Sequence, residues 1–82
     1  MDPFLDITLD WLRASPRSRG RALDAQTDLI GAGVLDSLAI LETMNFVESR
    51  FRVQLPVDEF TPENFHDATA IAGLARRLGG TC

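Results

Sequence analysis

Apolar residues recur at helical spacing in three stretches of this chain. The first stripe, in residues 4–14, consists of Phe4, Ile7, Thr8, Trp11 and Leu12. The second, in residues 37–51, consists of Ile40, Met44, Val47 and Phe51. The third, in residues 68–78, consists of Ile71, Leu74, Ala75 and Leu78. A repeat of three to four residues places side chains on one face of an α-helix. The pattern therefore predicts an all-α fold.

The polar stretches between the stripes complete a predicted four-helix bundle in one domain, residues 1–82. A long connection over residues 15–36 carries the apolar anchors Leu23, Leu29, Ile30, Val34 and Leu35. Pro56 ends the second helix because it lacks an N–H. Residues 60–65 predict one short helix that turns Phe60 and Phe65 into the core, and either Asp67 or Thr69 caps the last helix.

The second helix carries another apolar surface besides its core stripe. Leu38, Leu41 and Asn45 project roughly 100–150° away from that stripe, on the side flanked by Glu42 and Glu48. Two explanations stay open. The long connection packs over these side chains, or they form an exposed contact patch rimmed by acids. Phe46 belongs to neither surface and is expected to face the first helix.

Charge is unevenly distributed along the chain. Its 82 residues have a net charge of −4, but residues 36–67 alone hold seven acids against two arginines. Such a segment repels nucleic acid and anionic membranes and steers a basic protein partner towards it. A solvated acidic face kept for solubility remains the alternative. No apolar run approaches the roughly 20 residues that cross a bilayer, so a cytoplasmic protein is expected.

Composition provides little for catalysis or metal binding. The only cysteine is Cys82, the only histidine is His66, and there is no lysine. This excludes an internal disulfide, a Cys/His zinc site and a lysine-containing phosphate loop. No motif of a nucleophilic serine enzyme surrounds Ser37. We expect a protein that is not an enzyme, with His66 in a solvated loop.

The most informative residues stand where the long connection meets the second helix, at Asp36, Ser37 and Leu38. Asp36 is a candidate N-cap, because its carboxylate accepts a bond from an early helical N–H. The hydroxyl of Ser37 projects from the helix start, where unpaired N–H groups and the helix dipole favour a phosphate ester. The alternative is that Asp36 and Ser37 only begin the helix.

The run from Thr27 to Leu38, followed by an amphipathic helix that ends in Phe51, resembles acyl and peptidyl carrier proteins. The resemblance extends over nearly the whole chain, through the segments 53–56, 58–60 and 63–65 and the closing helix with Ile71 and Leu74. The resemblance implies that a phosphopantetheinyl transferase moves 4′-phosphopantetheine from coenzyme A onto Ser37. The thiol of that arm then carries an acyl or aminoacyl group as a thioester.

The resemblance also implies a monomer whose second helix is read by partner enzymes. These are the transferase, an adenylate-forming ligase or acyltransferase, and a ketosynthase or condensation enzyme. By position, the contact residues are Asp36, Leu38, Leu41, Glu42, Asn45 and Glu48. Gly33-Val34-Leu35-Asp36 departs from the Gly-Ala-Asp and Gly-Gly-Asp patterns common in the family. It is more similar to free-standing carriers that serve a separate ligase, D-alanyl carriers among them.

This departure, the start of the chain and an expected frayed end over residues 79–82 favour a discrete carrier of polyketide or nonribosomal-peptide type, as in antibiotic biosynthesis. Two other classes remain. One is an adaptor that binds another protein through Leu38 and Leu41 without covalent cargo. The other is a small hydrolase that uses Ser37.

Overall fold

The computed structural model describes residues 2–20 and 22–82, and within them it contains helices and no strands. The three α-helices are α1 (Pro3–Ala14), α2 (Ser37–Phe51) and α3 (Ala68–Arg77). Three short 3-10 helices lie at Pro16–Ser18, Val57–Glu59 and Pro62–Phe65. The predicted all-α class is confirmed, and α2 has the span that its apolar periodicity predicts.

The short helix predicted over about residues 60–65 is present as the 3-10 helix Pro62–Phe65. A separate 3-10 helix, Val57–Glu59, precedes it, with Phe60 and Thr61 between the two. Pro62 begins the second of these, and the hydroxyl of Thr61 caps it by accepting a hydrogen bond from the N–H of Asn64 at 3.4 Å. Because Phe60 lies in the break, its side chain stays 40% exposed, whereas Phe65 is fully buried. Phe65 is therefore a core residue, as predicted, whereas Phe60 is not.

An aspartate caps the N-terminus of each α-helix. Asp2, Asp36 and Asp67 each accept a hydrogen bond from the backbone N–H three residues later. This arrangement satisfies one of the N–H groups that a helix start leaves unpaired. It also decides between the two candidate caps of α3, because Thr69 instead donates its hydroxyl to the carbonyl of Ala25 at 3.0 Å.

The core lies where the apolar faces of the three helices meet. Its largest fully buried side chains include Leu12 of α1, Val47 and Phe51 of α2, and Ile71 and Leu74 of α3. Aromatic rings link α1 to α2: the Phe46 ring stacks on Trp11 at 4.5 Å, and the Phe4 ring lies 5.1 Å from Phe51. The prediction that Phe46 faces the first helix is confirmed.

The long connection is anchored on the bundle by its apolar side chains. Leu23, Leu29, Val34 and Leu35 are buried, and only Ile30 of the predicted anchors remains 37% exposed. The N–H of Leu29 also donates to the carbonyl of His66 at 2.7 Å, which ties the connection to the segment before α3. The residues that lead into α2 are therefore held in place from both sides.

The end of the chain is not frayed, contrary to expectation. The N–H of Gly80 donates to the carbonyl of Ala75, and that of Thr81 donates to the carbonyl of Phe51, both at 2.9 Å. A Cβ on Gly80 would lie 2.7 Å from the Ala75 oxygen, so this close return of the chain requires glycine. In the described part of the chain, no helix has the length and apolar character needed to cross a bilayer.

Candidate functional site

Ser37 is the first residue of α2 and its side chain is exposed. The two residues before Asp36 are buried: Val34 is 1% exposed and Leu35 is 4% exposed. Gly33 turns the chain ahead of them with a φ of 79°, a conformation that glycine adopts without steric cost. The backbone is thus anchored immediately before the serine, while the serine itself faces solvent. An enzyme that modifies the hydroxyl has access to it without unfolding of the bundle.

Asp36 uses both carboxylate oxygens. Its Oδ1 accepts a hydrogen bond from the N–H of Ala39 and its Oδ2 accepts one from Nη1 of Arg17, each at 2.8 Å. The pKa of Asp36 lies below its ordinary value. The main cause is the hydrogen bond from the Ala39 N–H, and the next lowering cause is the charge of Arg17. The carboxylate is therefore ionised at neutral pH, directly beside Ser37.

Arg17 is the site residue that sequence reasoning did not find. It lies in the 3-10 helix after α1, and its Nη2 is 3.9 Å from Oε1 of Glu42, one to two turns into α2. Arg17 stands 19 positions before Asp36. No local spacing rule connects residues at that separation, so only the path of the connection brings the two together.

The two apolar residues next to the serine are not covered by the connection. Leu38 is 59% exposed and Leu41 is 52% exposed, and Asn45 on the same side of α2 is exposed as well. Of the two explanations left open, the structure supports the exposed patch and contradicts packing of the connection over it. Leu38 and Leu41, three residues apart on α2, therefore form a small exposed apolar patch.

The two acids predicted as contact residues have different environments. The side chain of Glu42 is 59% exposed. Glu48 is half-buried, and its Oε2 accepts a hydrogen bond from the N–H of Leu55 at 2.9 Å. Glu48 therefore holds the segment after α2 against the helix, and this structural bond occupies one of its two oxygens. The sequence offers no sign of this, because Glu48 and Leu55 belong to different elements.

A groove opens between α1, the connection and the first turns of α2. Its volume is about 260 Å³. The residues that line it are Trp11, Leu12, Ala14, Ser15, Pro16, Arg17, Val34, Leu35, Ala39, Glu42 and Thr43. Arg17 and Glu42 provide its charged groups, and most of the rest is apolar. Ser37 itself does not line the groove, but Leu35 and Ala39, two residues away on either side along the chain, do.

Other polar clusters do not resemble a catalytic or metal site. Within residues 2–20 and 22–82, no group of three or more His, Cys, Asp or Glu side chains has an arrangement that could hold a metal ion. His66 is exposed, as expected, and its ring nitrogens lie 3.3 Å from Asp67 and 3.7 Å from Asp28. Asp28 belongs to the connection and Asp67 caps α3, so His66 contributes to the contact between those two segments.

Comparison with known proteins identifies the family, although no family model matches the chain. The chain is 46% identical to the D-alanyl carrier protein of Streptococcus suis (strain 98HAH33) over 44 residues, which are 54% of this chain and 56% of that protein. It is 32% identical to the probable acyl carrier protein PigG of Serratia sp. (strain ATCC 39006) over 56 residues, 68% of this chain and 64% of that protein. The chain belongs to the carrier protein family.

The chain spans a little over half the length of the D-alanyl carrier proteins that it matches. A solved structure described as "Crystal structure of FAD-dependent dehydrogenase" contains a chain with the same fold. The TM-score is 0.66 at 29% sequence identity, and the match covers 84% of this chain and 92% of that one. Part of this 82-residue chain covers nearly all of the matched chain, so the matched chain is about as short as this one.

Proposed function

We propose that this protein carries an acyl or aminoacyl intermediate on a 4′-phosphopantetheine arm attached to Ser37. The observation that supports it most directly is the exposed serine at the first position of α2, behind two buried anchors and the Asp36 cap. A structural helix start requires the cap but does not require an accessible hydroxyl beside an uncovered leucine patch. The carrier role explains both.

The residues around Ser37 fit such an arm. Ser37 is exposed, and an apolar groove is lined by Leu35 and Ala39, which lie two residues before and after it. Attachment forms one bond from Ser37 Oγ to phosphorus, breaks the phosphoanhydride bond of coenzyme A, releases adenosine 3′,5′-bisphosphate and passes the serine proton to a base of the transferase. The arm supplies a thiol that holds cargo as an activated thioester.

The proposal assigns α2 the role of docking surface. Leu38 and Leu41 supply its apolar centre, and Asp36, Glu42 and Asn45 supply its polar rim. Carrier partners must bind and leave repeatedly, which suits a small patch with charge steering and not a large apolar interface. The tether then keeps the cargo at a high effective concentration for each enzyme. Glu48 belongs to the family's contact positions, but its bond to Leu55 makes its first role structural.

For partners and pathway, the proposal names a phosphopantetheinyl transferase, an adenylate-forming ligase or acyltransferase, and a condensing enzyme of polyketide or nonribosomal-peptide type. It adds a flavin-dependent dehydrogenase. The support for this partner is that the solved structure with the matching chain is described as that of an FAD-dependent dehydrogenase. Complex formation between the holo protein and such enzymes of its host, with Leu41→Glu as the control, tests this assignment.

The experiment that tests the attachment is an intact-mass measurement. The protein is incubated with coenzyme A and a broad-specificity phosphopantetheinyl transferase. We expect one added phosphopantetheine on the wild type and on Ser49→Ala, which changes an exposed serine of the same helix. We expect none on Ser37→Ala. An unmodified wild type, or modification of Ser37→Ala, contradicts the proposal.

The exposure of Leu38 and Leu41 also supports an adaptor that binds a protein without covalent cargo. That function predicts a wild type that stays unmodified and binds its partner equally well with Ser37→Ala. We propose that the chain itself is not an enzyme. Turnover of an activated ester that Ser37→Ala abolishes would contradict this part and favour the hydrolase.

A further inference from the structure

Arg17 contacts Asp36, the residue before the proposed attachment serine, and the docking surface makes no use of Arg17. Its Nη1 donates to Oδ2 of Asp36 at 2.8 Å, and its Nη2 is 3.9 Å from Oε1 of Glu42. A guanidinium group has five N–H donors in a planar fork. Its side chain is 34% exposed, and its one hydrogen bond, to Asp36, occupies a single donor of the five. The cation retains unused hydrogen-bonding capacity at the site.

A phosphodiester on Ser37 would introduce a second negative charge next to that of Asp36. The two residues are consecutive, with Cα atoms about 3.8 Å apart. The bond from the Ala39 N–H holds the Asp36 carboxylate at the helix start, so it has little freedom to move away. Like charges on consecutive residues repel each other, and a cation that contacts both reduces this repulsion. Arg17 is the cation that already faces Asp36.

We infer that Arg17 is the counter-ion of the phosphodiester on Ser37 and positions the root of the arm. Its guanidinium bridges the Asp36 carboxylate and a phosphate oxygen, a geometry for which the planar fork of arginine is suited and the single ammonium of lysine less so. This inference rests on the proposed function. Its consequence is that the arm starts over the groove between α1 and α2, which leaves Leu38 and Leu41 free for partners.

A cycle of four proteins measures the interaction directly. Urea unfolding is followed for the apo and holo forms of the wild type and of Arg17→Gln. The loss of the Arg17–Asp36 pair affects both forms of the variant, so it cancels, and the remaining coupling belongs to Arg17 and the phosphodiester. For an exposed ion pair we expect the unfolding constant to change by about 1.4- to 5-fold. High salt should reduce the coupling.

Two further variants separate a charge effect from a general structural one. Arg17→Lys keeps the charge and should restore part of the coupling. Arg19→Gln removes an exposed arginine of the same connection that forms no ion pair within the described residues. This variant should show no coupling to the phosphodiester. Phosphorus NMR of the holo proteins gives an independent signal. We expect the phosphorus resonance to move in Arg17→Gln and to stay unchanged in Arg19→Gln.

Each outcome bears on one proposal or the other. A wild type that never gains the arm, seen by mass before any comparison, contradicts the proposed function. A holo protein with no coupling and the same phosphorus resonance in Arg17→Gln overturns the role of Arg17 and leaves the carrier function intact. If Arg17→Gln does not fold, the side-chain N–H resonances of Arg17 in the wild type decide. If they stay unchanged after modification, the inference is refuted.

Discussion

Replacing Glu48 by alanine should destabilise this protein, whereas the same change at Glu42 should weaken partner binding. Glu48 accepts the N–H of Leu55 at 2.9 Å, and Leu55 is only 8% exposed. The alanine variant removes the acceptor of that N–H on a buried residue. An unpaired group of this kind costs about 1–3 kcal/mol, and a small domain loses roughly 4–8 °C of melting temperature per kcal/mol. Glu48→Gln keeps a carbonyl acceptor and should lose less.

Glu42 provides the matched control because it lies on the same helix and its side chain is 59% exposed. Glu42→Ala should change the free energy of unfolding by no more than about 0.5 kcal/mol. It should lower the association rate with the transferase, most clearly at low salt. Urea unfolding followed by circular dichroism and the rate of arm attachment measure the two effects. Equal melting temperatures for the two alanine variants would refute the structural role of Glu48.

Three further predictions follow from the core, the cap and the docking patch. Phe51→Ala should lose about 3–5 kcal/mol in urea unfolding because the ring is fully buried, whereas Val57→Ala, at 79% exposed, should stay near wild type; equal midpoints would refute the core assignment. The lowered pKa of Asp36 means that its stabilising contribution is present above the ordinary value of 3.8 and is lost as pH falls through the folded value. Asp36→Asn should therefore flatten the acid side of the stability profile, and an unchanged profile would contradict the cap electrostatics. Leu41→Glu should abolish binding of partner enzymes without lowering the melting temperature; unimpaired binding would exclude the patch.

Local signals along the chain were sufficient for the helices and for the candidate serine. The span of α2 follows from the spacing of Met44, Val47 and Phe51, because a helix repeats its environment every three to four residues. The cap at Asp36 follows from the chemistry of a single carboxylate and the N–H groups next to it. The position of Ser37 at the helix start then follows from the same boundary.

Tertiary structure alone decided the surroundings of that serine. Whether Leu38 and Leu41 are covered depends on the path of a connection of more than 20 residues, and that path is set by which anchors reach the core. The pairing of Arg17 with Asp36 and of Glu48 with Leu55 joins separate elements. Such contacts depend on how the elements pack, and periodicity carries no information about packing. The sequence by itself thus determined that Ser37 stands at the start of α2, and the packed bundle determined which charges and apolar groups surround it.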